Sequence, residues 1–145
     1  MNYTKINETE IKNWLKENLN SERYSHSLGT AECAKGLAAK FGLDEEKAYI
    51  AGLLHDCAKC FPNEKLLEII KENLQVEEAE MLNYKTLHAP VSAHYAEKYF
   101  GVEDKEILSA IRWHTLGQLE MTDFEKIIFL ADKIEPNTRD KEYSA

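Results

Sequence analysis

The chain has 145 residues, of which 43% are hydrophobic, 10% aromatic and 30% charged. That length and balance suit one soluble globular domain, residues 1–145, able to bury a core without disulfides. A formal net charge of -8 and no long lysine–arginine run argue against broad binding to nucleic acid, so an anionic ligand needs a local cationic site.

Glu, Lys, Leu and Ala fill segments bounded by capping residues, and no Val/Ile/Thr-rich alternation interrupts them, which predicts an all-α fold. Asn7 is read as the cap of a helix over 8–19. Ser21 is read as the cap of a second, whose row Leu28, Ala31, Ala34, Leu37, Ala38 and Phe41 is expected in the core before Gly42 stops it. Asp44, followed by Glu45 and Glu46, starts a third helix running through Ala48, Ala51, Leu54 and His55 to about Lys59, where Phe61-Pro62-Asn63 breaks it. Asn63 is read as the cap of a shorter helix to about Asn73, and 75–87 reads as turn with some helix. Pro90 suits the first turn of a helix ending near Phe100-Gly101, and Asp104 opens the next toward His114. Thr122 and Glu125 form a capping box before Phe129, Leu130 and Asp132, and Pro136 ends that helix. With no repeat, low-complexity segment or linker, the chain reads as one compact helical bundle.

No apolar stretch approaches the roughly 20 residues that span a bilayer. The N-terminal run from Met1 to Asn7 lacks the apolar core of a secretory signal, so no membrane association and a cytoplasmic location are expected. Cys33, Cys57 and Cys60 are an odd set without framework spacing and read as reduced thiols.

Four histidines (His26, His55, His88 and His114) fall on four different predicted helices or helix ends, an arrangement that can converge on metal in a bundle. His55 and Asp56 are adjacent and on a straight helix point about 100° apart. An ion between the two directions, with a bridging carboxylate, suits that pair. Lys59 follows His55 by four residues and Asp56 by three, one turn along the same side, within reach of a phosphate held at the metals. Together with Asp132, in Leu130-Ala131-Asp132, these residues form an ordered six-ligand set.

The segments that carry them are specific: 23–30 (RYSHSLGT), 52–59 (GLLHDCAK), 87–93 (LHAPVSA), 113–117 (WHTLG) and 130–137 (LADKIEPN). In these the sequence resembles the HD-domain superfamily and, within it, the bacterial YqeK-like symmetrical diadenosine tetraphosphate hydrolases, over about 23–139. The resemblance implies an all-α HD-domain bundle that binds two divalent metals, usually iron, and hydrolyses diadenosine tetraphosphate to two ADP. It further implies one ion held by His26, His55, Asp56 and Asp132, and a second held by His88, His114 and the bridging Asp56. Leu116 departs from the pattern, standing where many relatives have a second threonine, and relatives continue with further helix beyond Arg139.

Mixed histidine and carboxylate ligands suit iron, manganese or zinc, and cations sharing Asp56 would acidify a water and neutralise phosphoryl charge. Asp56 and Lys59 are thus the expected catalytic residues. Arg23, Lys59, Thr115 and Arg139 are the expected contacts to the polyphosphate. The competing readings are an HD nucleotidase or phosphatase acting on a smaller nucleotide, and a nucleotide-binding HD module without turnover. A homodimer is compatible with the sequence.

Other signals carry no role in this reading. Cys57-Ala58-Lys59-Cys60 lacks the second pair that a structural zinc site needs. His94 lies about 120° from His88 on a helix and is left as surface or packing. Glu77-Glu78-Ala79-Glu80 reads as a solvated face, and Trp113 as core.

Overall fold

The computed structural model describes residues 3–81 and 86–137, and among them seven α-helices follow one another with no strand. Helix α1 (Glu8–Asn18) starts where the Asn7 side chain accepts the Glu10 amide, and it buries Ile11 and Leu15, one turn apart on one face. Helix α2 (Ser21–Phe41) is capped by Asn20, whose side chain accepts the Arg23 amide; Ser21 is its first residue rather than its cap. It ends on Gly42, which adopts the left-handed conformation at φ 72°. Ala31, Ala34 and Ala38 are fully buried. Phe41, expected in the core, is 63% exposed, because it lies in the last turn of α2, beside a shallow groove with Leu37, Ile127 and Leu130.

Helix α3 (Glu45–Leu54) packs along α2, and Gly52 sets how closely the two approach. A Cβ there would sit 2.8 Å from Ala31 Cα and 3.0 Å from the Thr30 carbonyl oxygen. The helix stops at Leu54, short of the expected Lys59. The His55 ring bonds the Gly52 carbonyl at 2.6 Å, which a continuing helix would give to the Asp56 amide. Asp56 leaves helical geometry at φ -112°, ψ 16°, and Cys57–Cys60 form a 3₁₀ turn. The Ala58 amide in that turn donates to Ser92 Oγ at 3.0 Å.

Helix α4 (Asn63–Asn73) has Pro62 at its cap position and Asn63 as its first residue, without the expected side-chain cap. Its Leu66 and Ile70 join Ala58, Leu87 and Val91 in a small cluster beside the main core. A short 3₁₀ turn, Glu78–Met81, precedes α5 (His88–Lys98). Helix α6 (Lys105–Arg112) starts where Asp104 accepts the Glu106 and Ile107 amides, and α7 (Asp123–Ile134) starts with the capping box between Thr122 and Glu125.

Helices α2, α3, α6 and α7 pack around Leu53, Leu54, Ile107, Ile111 and Ile128, and α5 lies against α6 and the turn after α3. Each such side chain contributes about 2 kcal/mol by burial. No helix among the described residues is long and apolar enough to cross a membrane. The packing brings the α3 and α6 C-termini, the α5 N-terminus, the first turns of α2 and the end of α7 to one place.

Candidate metal centre

Two of the histidines close a helix with the same device. His55 follows α3 and its Nδ1 lies 2.6 Å from the Gly52 carbonyl oxygen; His114 follows α6 and its Nδ1 lies 2.6 Å from that of Ile111. Each ring donates its Nδ1 proton to a carbonyl three residues back, so the neutral ring presents the Nε2 lone pair inward. His26, on the second turn of α2, points Nδ1 at the Glu135 carboxylate at 3.1 Å, with the same consequence.

The inward nitrogens meet two buried carboxylates. His26 Nε2 and His55 Nε2 lie 2.8 and 3.0 Å from Asp132 Oδ1, and 3.2 Å from one another. Both also face Asp56 Oδ2, at 3.6 and 3.5 Å. The other oxygen of Asp56 faces elsewhere: Oδ1 lies 3.0 Å from His88 Nε2 and 3.3 Å from His114 Nε2, and these two nitrogens are 3.3 Å apart. Two groups result, His26, His55, Asp56 and Asp132 in one and Asp56, His88 and His114 in the other, with Asp56 common to both.

All six residues are buried, and the field they make calls for positive charge. Burial alone raises the Asp56 carboxyl, yet His55, His114 and His88 hold it well below the usual carboxylate range. Burial likewise opposes ionisation of Asp132, and bonds from His26 and His55 again bring its carboxyl below that range. Burial disfavours a charged His55, but Asp56 and Asp132 outweigh it and push the ring up to about 9. His88 is lowered, chiefly by burial. Facing imidazole nitrogens about 3.2 Å apart beside two buried carboxylates need positive charge among them, a proton on His55 in the metal-free protein, and the mixed nitrogen and oxygen donors fit divalent metal ions in its place.

The expected substrate contacts lie at different depths. Arg23 is half-buried, with Nη1 3.6 Å from Asp56 Oδ2. Lys59 is exposed on the 3₁₀ turn, close enough to His88 to disfavour its protonation. The Thr115 hydroxyl oxygen is buried without a hydrogen-bond partner among the described residues. Arg139 lies outside the described residues.

Glu135 and Lys133 support the site without a role expected from sequence, and Glu80 and Trp113 depart from the places expected of them. Glu135 is fully buried behind His26, and only its position three residues after Asp132, on the same side of α7, signals it. Lys133 Nζ donates to the His114 carbonyl at 3.1 Å. Glu80, expected on a solvated face, is 1% exposed and accepts Arg112 Nη2 at 2.7 Å and Nε at 3.0 Å, a two-pronged pair that makes its burial tolerable. Trp113 is half-buried, with the Arg112 guanidinium 5.1 Å from its ring, rather than in the core.

The family model described as HD domain matches residues 23–137. A Bacillus subtilis (strain 168) protein named symmetrical bis(5'-nucleosyl)-tetraphosphatase is 41% identical over 132 residues, 91% of this chain and 71% of that protein. Its namesake from Halalkalibacterium halodurans is 42% identical over 123 residues, 85% of this chain and 66% of that protein. The chain thus spans about two thirds of the length of these relatives. A crystal structure of a predicted HD superfamily hydrolase involved in NAD metabolism, from Clostridium acetobutylicum, superposes with a TM-score of 0.86 at 39% identity, covering 97% of this chain and 77% of that one. The chain belongs to the HD-domain family, on the branch that holds the symmetrical bis(5'-nucleosyl)-tetraphosphatases.

Proposed function

We propose that this chain is a metal-dependent phosphohydrolase that cleaves diadenosine tetraphosphate symmetrically to two molecules of ADP. The observation that carries the reading is the division of Asp56, one oxygen toward His26 and His55 and the other toward His88 and His114. The names of the relatives supply the substrate class.

In this reading His26, His55, Asp56 and Asp132 hold one ion, and His88, His114 and Asp56 the other. When bound, the pair acidifies a water and neutralises charge on the phosphoryl oxygens. The mixed histidine and carboxylate ligands suit iron, manganese or zinc, and the family resemblance favours iron. Asp56 fixes the spacing of the two groups, because it is buried and its two oxygens are committed to different histidines. Lys59 is exposed on the turn after Asp56 and close enough to His88 to act on it, so its ammonium would bind the polyphosphate oxygens as their charge shifts. Arg23, Thr115 and Arg139 hold the rest of the chain of phosphates. Water adds to one of the two central phosphorus atoms, the bond to the central bridging oxygen breaks, and ADP leaves as a stable anion. A dinucleoside polyphosphate is an intracellular substrate, which favours the cytoplasm, and the unit acts as a single domain, alone or as a homodimer.

Product analysis with diadenosine tetraphosphate and the metal-loaded chain tests the reading. ADP as sole product supports it. AMP with ATP contradicts symmetrical cleavage, and absence of turnover favours a binding module.

A further inference from the structure

We infer that Glu135 is a positioning residue for one of the two metal ions: its carboxylate fixes the proton of His26 on Nδ1 and so aims the Nε2 lone pair at the cation. This rests on the reading of the cluster as a metal site.

Glu135 is 0% exposed and follows the last turn of α7. A carboxylate at a helix C-terminus faces the negative end of the helix dipole, and burial adds the cost of desolvation. Donors gathered on it offset both. Oε1 lies 3.1 Å from His26 Nδ1, and Oε2 accepts the Asn137 amide at 2.8 Å. The Asn137 side chain in turn donates to the Ser25 carbonyl at 2.9 Å, tying the end of α7 to α2 beside His26.

Gly29 makes room for this arrangement. It lies three residues after His26 on the same face of α2, and a Cβ there would collide with Glu135 Oε2 and lie 2.9 Å from Asn137 Nδ2. Helix propensity favours alanine over glycine at such a site, so the glycine is best explained by the carboxylate it admits.

The two other histidines with an assigned Nδ1 partner use neutral backbone carbonyls. His26 uses a carboxylate, which holds the ring in the tautomer and orientation that turn Nε2 toward the metal. Glu135 belongs to neither ligand group and meets Nδ1 of His26, so it acts on the ion through His26.

Glu135→Gln separates this role from packing. The carboxylate accepts two donors, whereas an amide has one accepting oxygen. If that oxygen keeps the Asn137 amide, the NH2 group faces His26 and drives its proton to Nε2, where it blocks the metal. Zinc titration of the metal-free full chain against a chromophoric chelator resolves the two binding steps. The expected result is that Glu135→Gln weakens one step about 10- to 100-fold and leaves the other within about 2-fold. Gly29→Ala, which displaces Glu135 without removing it, weakens the same step. Two unchanged affinities in both variants, with only a lowered melting midpoint, would overturn the inference and leave Glu135 as packing. Equal loss of both steps would overturn it too. If the unmodified chain binds no zinc, the metal reading itself fails.

Discussion

Gly52 and His55 depend on one another: the Gly52 carbonyl takes the His55 Nδ1 proton at 2.6 Å, and the missing Gly52 side chain lets α2, with His26, lie against α3. Gly52→Ala would place a Cβ 2.8 Å from Ala31 Cα, a backbone atom that cannot turn aside. We predict a loss of about 1–3 kcal/mol in urea unfolding, despite the better helix propensity of alanine, together with weaker metal binding.

Lys59→Ala separates anion capture from metal binding. The side chain is exposed, so stability should change by less than about 0.5 kcal/mol and metal content should stay at the wild-type level. The rate with diadenosine tetraphosphate should fall by on the order of 100-fold. Steady-state kinetics beside elemental analysis of one preparation checks both halves.

Arg112→Ala would leave the buried Glu80 carboxylate without its two-pronged partner. A cost of about 3 kcal/mol is expected, read as a lowered urea midpoint. The pair also steadies the approach to α5, because Thr86 Oγ1 donates to the Glu80 carbonyl at 3.0 Å, two residues before His88. Metal binding should weaken in this variant as well.

The metal-free protein should lose stability toward alkaline pH. His55 is pushed up from 6.5 to about 9, so its contribution is complete below about pH 6.5 and disappears as pH rises through about 9. His88 is lowered by burial and works the other way: below about pH 6.5 the unfolded chain binds a proton that the folded chain resists. The melting midpoint of chelator-treated protein should therefore peak near pH 6.5 and decline to pH 9. Metal-loaded protein should show no such decline, since metal ions require the deprotonated ligands. A flat metal-free profile would contradict the charge assignment.

The convergence of the six His and Asp residues was legible in the sequence because residue type and order carry it, and helix starts were legible where a side chain caps them, as at Asp44, Asp104 and Thr122. What escaped depends on partners distant in the chain. Glu135 and Glu80 look like solvated carboxylates locally, and only the fold brings His26 across 109 residues to one and Arg112 across 32 to the other. The early end of α3 escaped for a local reason: a histidine side chain competes for a backbone carbonyl, which periodicity does not register.

If Asp56 joins the two metal sites, Asp56→Ala should empty both, with metal per chain measured by elemental analysis after loading and desalting. The unmodified chain should retain two ions. The variant should retain neither and lose hydrolysis of diadenosine tetraphosphate, because Oδ1 and Oδ2 serve different groups. Two ions per chain in the variant would mean that Asp56 does not bridge the two groups.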